Sequence, residues 1–524
     1  MRDYNNIREI IEDGSVKFKN NIAFKVKLAE KKYDDITYLR LREEIEALGK
    51  YLIKHNIGER IAVIGKNSYK WMLVYLAVLC SGKVIVPLDK GLFEYEIKDQ
   101  LKRSKADFIF YADSFRDIMK DNERSLCMDD PEFDEILRLG KTYGDTEYKN
   151  IKIDSKKMSI LIFTSGTTSK SKAVMLSQRN ITSDVYGMSV WENFYETDVN
   201  MAILPFHHAF GMTQIVIFLS YGMCNVFCEG LRIDKCLKEY GVSIIVGVPR
   251  IVSEIRRTII KKLTAMKKLD TVQRGIKLTS FLKKLHIDIR RRVFKEIIDG
   301  MGGKLRLIIV GAAAGDPDAL EWFNNIGIVT VQGYGLTETS PCISAENETH
   351  IRRGSVGLPI PNVRVRISEP DENGIGEIAA KGENVMIGYL DDPDNTNKAL
   401  KDGWFYTGDM GRIDKDGYLF ITGRKKNVIV LGNGKNVFPE EIEQLLYESN
   451  AISECIVSCP AGTKEQLHAK IVYDAKNMTE DEAREAVSKH IADVNSRLIS
   501  YKRIKSYEIT DKEMEKTTTL KIKR

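Results

Sequence analysis

The chain has 524 residues, of which 43% are hydrophobic and 29% charged, with a net charge of +6. That composition excludes a disordered or fibrous protein, and so small a charge does not point to nucleic acid. At about 150 residues per domain the length allows three or four folding units, or fewer if they are large α/β ones.

The opening MRDYNNIREIIEDG carries acids where a signal peptide needs an apolar core. RIAVIG (60–65) is a predicted strand, residues 69–80 have helical length, and KVIVPLD (83–89) is a second strand. Strand, helix, strand at this spacing is a βαβ unit, which implies a parallel sheet. The helix is the most apolar run in the chain but stops at Ser81, Gly82 and Lys83, short of the ~20 residues that span a bilayer. The strand theme returns at residues 158–163, 242–249 and 305–312. Eight cysteines without a CxxC pair read as reduced thiols, hence a cytoplasmic protein.

Residues 250–300 hold 15 Lys and Arg against 5 Asp and Glu, so this segment is +10 and the rest of the chain −4. One reading is a solvated helix face. The other is a surface that meets anionic membrane or an acidic partner, with Arg290, Arg291 and Arg292 facing lipid. Near residue 420 the elements shorten and glycines cluster. Pro439 is placed to open a helix, residues 452–460 and 467–474 read as strands, and Thr479 with Glu482 makes a capping-box pattern. The predicted fold is therefore α/β. A large N-terminal domain of parallel-rich βα layers (1–425) precedes a small α+β domain (426–524).

FTSGTTSKSKAVML (163–176) gathers hydroxyls and lysines around Gly166, directly after an apolar strand. Such a loop can wrap phosphate oxygens with N–H groups, hydroxyls and counter-charge. It has no Walker pattern, and by composition alone a polar loop after a strand is more often just a loop. Three further stretches stand with it: QGYGLTET (332–339), WFYTGDMGRIDKDGYLFITGRKKN (404–427) and TTTLKIKR (517–524). In this order and spacing they resemble the adenylate-forming superfamily of acyl-CoA synthetases, peptide-synthetase adenylation domains and beetle luciferases. The resemblance spans nearly the whole chain.

The resemblance implies an enzyme that uses ATP and Mg2+ to make an acyl-adenylate, then passes the acyl group to a thiol, usually that of coenzyme A. Thr164, Ser165, Gly166, Thr167, Thr168 and Lys172 would cradle phosphates, although Ser169, Ser171 and Ala173 stand where the family usually has Gly, Pro and Gly. Ala312, Gly333, Tyr334 and Gly335 would border the adenine, Thr337 the α-phosphate, and Glu338 would hold Mg2+. Asp409 would accept the ribose hydroxyls, assisted by Arg424. Lys521, Thr337 and His208 form the implied catalytic set, Lys426 the hinge of a mobile C-terminal domain, and His208, Gly211 and Ala313 the acyl pocket. Adjacent His207 and His208 are by themselves a poor zinc signal. The stretch LPFHHAFGM (204–212) lacks the aspartate that amino-acid-activating relatives use. Residues 291–314 most resemble long-chain fatty acid–CoA ligases. A long- or medium-chain fatty acid is the expected acid. The alternatives are transfer to an acyl carrier protein, or another carboxylic acid. A luciferase-like oxidoreductase and a non-catalytic acyl-binding module are disfavoured.

Overall fold

The computed structural model describes residues 2–164, 171–228, 233–313, 315–431, 435–449, 451–460, 466–475, 478–516, 522 and 524. They fall into two compact units. The larger holds Met1–Thr164, Ser171–Arg364 and Lys381–Gly403, and the smaller holds Val365–Ala380 and Trp404–Arg524.

The larger unit begins its first sheet with the βαβ unit read above. Helix Tyr69–Cys80 opens where the Ser68 side chain accepts the N–H of Trp71, the usual cap for a first-turn donor. From Trp71 onward every residue of this helix is buried, so its all-round apolar surface is an interior one. Val84–Leu88 then returns parallel to Arg60–Ile64, with Ile61 opposite Ile85. The sheet runs Gly388–Tyr389, Lys172–Ser177, Met158–Thr164, Val84–Leu88, Arg60–Ile64, Phe108–Tyr111, Ser125–Cys127. Its first two strands join antiparallel.

The second sheet has six neighbouring parallel strands: Val329–Gly335, Leu307–Val310, Ile244–Gly247, Val199–Met201, Cys224–Val226 and Ile22–Ala29. Buried Ile245, Ile308, Val310 and Phe323 join one apolar cluster against it. Its two edges are antiparallel: the hairpin of Ile22–Ala29 with Lys32–Thr37, and Cys342–Ala345 beside Val329–Gly335. The periodicity reading found the parallel centre and passed over these edges, whose polar, alternating residues lack a continuous apolar run.

In the smaller unit Trp404–Ile413 pairs antiparallel with Gly376–Lys381 and with Leu419–Arg424. Ile452–Ser458, Leu467–Tyr473 and Ile504–Thr510 form a three-stranded mixed sheet. Pro439 opens helix Pro439–Leu446. Thr479 and Glu482 make the reciprocal capping box of helix Glu480–Arg497. The fold is thus the α/β arrangement expected, with a smaller α+β unit toward the C-terminus.

The basic segment corrects one expectation. Arg290 is not turned to lipid: it donates to the Asn324 carbonyl at 2.5 Å and pairs with Asp288 at 2.6 Å. Arg291 donates to the carbonyls of Leu305 at 2.8 Å and Gly327 at 3.1 Å. Both tie the basic segment to backbone carbonyls of neighbouring segments, a use of arginine that charge counting does not reveal. Among the described residues, no helix is long and apolar enough to cross a membrane.

Gly140 of helix Pro131–Thr142 sits against Ala47 of helix Tyr38–Lys54, where a Cβ would strike the Ala47 carbonyl. Helix propensity alone favours Ala over Gly by about 1 kcal/mol. Overpacking costs about 1–3 kcal/mol in the other direction. Gly140→Ala is therefore expected to lower the urea midpoint, and a raised midpoint would show that the two helices can part freely.

Candidate active site

Met158–Thr164 and Lys172–Ser177 are antiparallel neighbours, with Thr164 opposite Lys172. Thr164 and Lys172 are therefore the two feet of the loop expected to hold phosphate. Ser165, Gly166, Thr167 and Thr168 lie outside the described residues, as does Lys521. The far foot is clamped by Arg103 of helix Glu94–Ser104, which donates to the Ser171 hydroxyl at 3.1 Å and carbonyl at 2.5 Å. Its guanidinium also lies 5.1 Å from the Phe163 ring centre. Arg103 thus adds a cation to the root of a lysine-bearing loop, and no motif marks it.

The Lys172 ammonium stands 4.6 Å from the centre of the Tyr389 ring. The Tyr389 hydroxyl donates to Glu338 Oε1 at 2.9 Å. Burial, and then the nearby Glu338 charge, push the Tyr389 hydroxyl far above its ordinary pKa, so it stays a donor. Lys172 and Glu338 therefore share Tyr389 as a neighbour, a residue that sequence reading missed.

Glu338 sits in the short turn Thr337–Thr339 after strand Val329–Gly335. Gly335 is needed there because a Cβ would run into the Pro341 carbonyl. Asn384 pins the turn by donating to the carbonyls of Thr339 at 3.0 Å and Cys342 at 2.6 Å. Met386 N–H donates to the Glu338 carbonyl at 2.8 Å. Gly333 and Tyr334 lie on the same strand, opposite Ala345 and Ser344.

Two further strand ends meet nearby in the chain's apolar wall. Asn67 holds residues 204–206 from one side: its amide donates to the Leu204 carbonyl at 2.7 Å and accepts from Phe206 N–H at 3.0 Å. Gly211 lies so close to the Pro205 carbonyl that no Cβ fits. The Phe210 ring packs on Gly311, where a Cβ would stand 2.7 Å from it. Ala312 follows at φ +69°, a left-handed conformation that costs a non-glycine residue free energy and clusters at functional sites. Ala312 and Ala313 are exposed. His208 caps helix Ala209–Ser220. His207 is buried, with Nε2 3.2 Å from Asp89 Oδ1. Donor atoms of Asp89, His207 and His208 all lie within 4.8 Å of one another. Asp89 Oδ1 also accepts the Gly91 N–H at 2.8 Å, so hydrogen bonding accounts for this grouping.

In the smaller unit Asp409 and Arg424 are direct cross-strand partners. Arg424 Nε lies 2.7 Å from Asp409 Oδ1, and the carboxylate is 7% exposed. Asp409 N–H donates to the Thr407 hydroxyl at 3.1 Å, and that hydroxyl donates to the Ile378 carbonyl. A buried, paired carboxylate of this kind is a rigid acceptor. Lys426 is exposed in the turn Lys425–Asn427, between Lys425, paired to Glu377 at 2.7 Å, and Asn427, bonded to Glu440 at 2.6 Å. The structure thus joins Lys172 to Glu338, residues 204–211 to Gly311, and Asp409 to Arg424.

The comparisons with known proteins identify the class of this chain. The AMP-binding enzyme model matches residues 12–390, and the AMP-binding enzyme C-terminal domain model matches residues 426–524. The chain belongs to the AMP-binding enzyme family. It is 26% identical over 461 residues to the long-chain-fatty-acid–CoA ligase FadD15 of Mycobacterium bovis, covering 81% of this chain and 75% of that one. It is 28% identical over 434 residues to the 2-succinylbenzoate–CoA ligase of a Geobacillus species, covering 80% and 79%. The fold matches ATP-bound MatB of Rhodopseudomonas palustris with a TM-score of 0.78 at 23% identity, over 99% of this chain and 97% of that one.

Tyr389→Phe keeps the ring beside Lys172 and removes the hydrogen bond to Glu338. A bond to a charged group contributes about 1.5–3 kcal/mol, so acid-dependent ATP–pyrophosphate exchange is expected to fall by roughly ten- to a hundredfold, with folding unchanged. Wild-type exchange by this variant would mean that Glu338 is held in place by its turn alone.

Proposed function

We propose that this adenylate-forming enzyme is an acid–CoA ligase whose acid is a long- or medium-chain fatty acid. The observation that carries the reading is the wall where Phe210 packs on Gly311 beside Ala312 and Ala313. It is apolar and small, and the stretch 204–212 offers no carboxylate to pair a substrate ammonium. His208 and Gly211 border the same pocket.

In the first step a carboxylate oxygen attacks the α-phosphorus of ATP, the bond to the β-phosphate oxygen breaks, and pyrophosphate leaves. Two anions must meet, so cations and donors have to offset their repulsion. Thr164, Ser165, Gly166, Thr167, Thr168 and Lys172 hold the β- and γ-phosphates, with Arg103 supporting the loop. Thr337 reaches the α-phosphate, Tyr334 packs on adenine beside Ala312, Gly333 and Gly335, and Asp409 with Arg424 takes the ribose hydroxyls. Glu338, a hard oxygen donor beside the Thr337 hydroxyl, is of the ligand type Mg2+ takes. That ion supplies charge neutralisation at the phosphates. Lys521 bridges carboxylate and α-phosphate. In the second step the thiol of coenzyme A attacks the acyl carbon and AMP leaves. Lys426 is the hinge, with residues 426–524 as the moving domain, that lets one site serve both steps.

The test is pyrophosphate release across a panel of carboxylic acids, with and without coenzyme A. Fatty acids are expected to give release, and coenzyme A to convert the acyl-adenylate to thioester. Lys521→Ala is expected to lose about 10²–10³ in the first step while still converting supplied acyl-adenylate. A chain that activates only aromatic or dicarboxylic acids would overturn the fatty acid reading. The likeness to the 2-succinylbenzoate–CoA ligase favours that alternative, another acid on the same machinery. Transfer to an acyl carrier protein would show as thioester only when the carrier replaces coenzyme A.

A fatty acid resides in membranes, and helix Leu269–Lys284 is built to meet one. Its own Val272 and Thr279 are buried, while Leu278, Phe281 and the following Leu285 are each more than half exposed on another face among Lys277 and Lys284. Apolar side chains flanked by lysines fit an anionic bilayer surface. Burying one such side chain contributes about 1.5–3 kcal/mol, so Phe281→Ser is expected to weaken sedimentation with anionic vesicles about tenfold or more, turnover of a short soluble acid being retained. Equal sedimentation of wild type and variant would leave this helix a solvated one.

A further inference from the structure

Outside the residues used above, two thiols of the larger unit lie against each other. Cys228 follows strand Cys224–Val226, and Cys236 lies on helix Ile233–Tyr240. Their Sγ atoms are 2.6 Å apart. The two sulfur atoms are therefore in direct contact, as free thiols. Cys236 is 7% exposed, within the apolar cluster that includes Leu237, Val242 and Met301, and Cys228 packs against the same cluster while remaining partly exposed. We infer that Cys228 and Cys236 are a redox-active dithiol that closes to an intramolecular disulfide on meeting a low-molecular-weight disulfide.

The two positions divide the chemistry. Cys228, the more accessible, attacks one sulfur of a disulfide such as oxidised glutathione. That S–S bond breaks, one glutathione leaves as a thiolate, and a mixed disulfide remains on Cys228. Cys236, held beside it, then attacks the Cys228 sulfur and expels the second glutathione. Two protein thiols lose two protons and two electrons, and one oxidised glutathione becomes two reduced ones. The new bond ties helix Ile233–Tyr240 to the end of a sheet strand.

Five of the other six thiols do not compete, and the sixth, Cys459, is partly exposed and belongs to the smaller unit. Burial pushes Cys80 and Cys224 up to about 12, and raises Cys127, Cys342 and Cys455 as well, which keeps them protonated and inert. All eight cysteines are free thiols in the structure, and Cys228 and Cys236, eight residues apart in sequence, lack the CxxC spacing that would have marked them as a pair.

The experiment uses the full chain in glutathione buffers of rising oxidation, quenched with acid and read by intact and peptide mass spectrometry. The wild type is expected to lose two hydrogens and yield a peptide linked through Cys228 and Cys236, reversed by a reducing agent. Cys236→Ser is expected to stop at one glutathione on Cys228, because the resolving thiol is gone. Cys228→Ser is expected to show neither the linkage nor glutathione at Cys236, the remaining partner being buried. The wild-type peptide map needs no variant, so the inference stands or falls even where a variant fails to fold. A wild type that stays fully reduced in oxidised glutathione, a linkage through any other pair, or a Cys236→Ser protein that carries no glutathione at Cys228 would overturn it. None of these readouts depends on which acid the enzyme activates.

Discussion

A parallel sheet covered on both faces has no exposed surface of its own, so polar chemistry can stand only at the strand ends. Most of the candidate residues in the larger unit obey that constraint. Thr164 closes Met158–Thr164, Asp89 follows Val84–Leu88, residues 204–208 follow Val199–Met201, Gly311 and Ala312 follow Leu307–Val310, and Thr337 and Glu338 follow Val329–Gly335. These are all carboxyl ends. The long apolar interiors, such as Ile244–Gly247 with every residue buried, hold the ends in register and do nothing else. What varies from one strand to the next is the chemistry of the two or three residues that emerge.

Those emerging groups are secured from the side by residues remote in sequence. Asn67 bonds residues 204–206, Asn384 bonds the turn that carries Glu338, and Arg103 bonds the foot of the phosphate loop. Each is a side chain that satisfies backbone carbonyls or amides left open where a strand ends, which a buried chain requires. Fixing the backbone this way keeps Gly211 and Gly335 in close approaches that a Cβ would forbid. Positions preset before substrate arrives need little reorganisation in the reaction.

The same division explains what could be read from the sequence. Features made by neighbours in the chain were legible: the helix at Tyr69–Cys80, the proline start at Pro439, the capping box of Thr479 and Glu482, and the parallel strand cores. Contacts made across the fold were not. Tyr389 meets Glu338 across 51 residues, Arg103 meets Ser171 across 68, and Asn67 meets Leu204 across 137; neither spacing nor periodicity encodes such pairs. The basic segment shows the limit of charge counting. Its total is a sequence property, but Arg290 and Arg291 are bonded to carbonyls of neighbouring segments while Lys277 and Lys284 are exposed on a helix, and only packing decides which.

The two carboxylates of the proposed nucleotide site are prepared for different partners. Glu338 rides on a turn, is half-buried, and is approached by a neutral phenol. A hydroxyl donor orients one oxygen without neutralising the charge, so the group keeps its attraction for a cation. Asp409 sits within a strand pair, is nearly fully buried, and has a guanidinium at 2.7 Å. Its charge is already balanced, which weakens any pull on a metal ion and leaves a carboxylate suited to accepting neutral hydroxyls. Exchanging the two environments would reverse those preferences: a phenol beside Asp409 would leave an unbalanced charge in a buried strand pair, and a guanidinium beside Glu338 would repel the ion it is proposed to hold. The proposed assignment of metal to Glu338 and ribose to Asp409 accords with the neighbours that each carboxylate has.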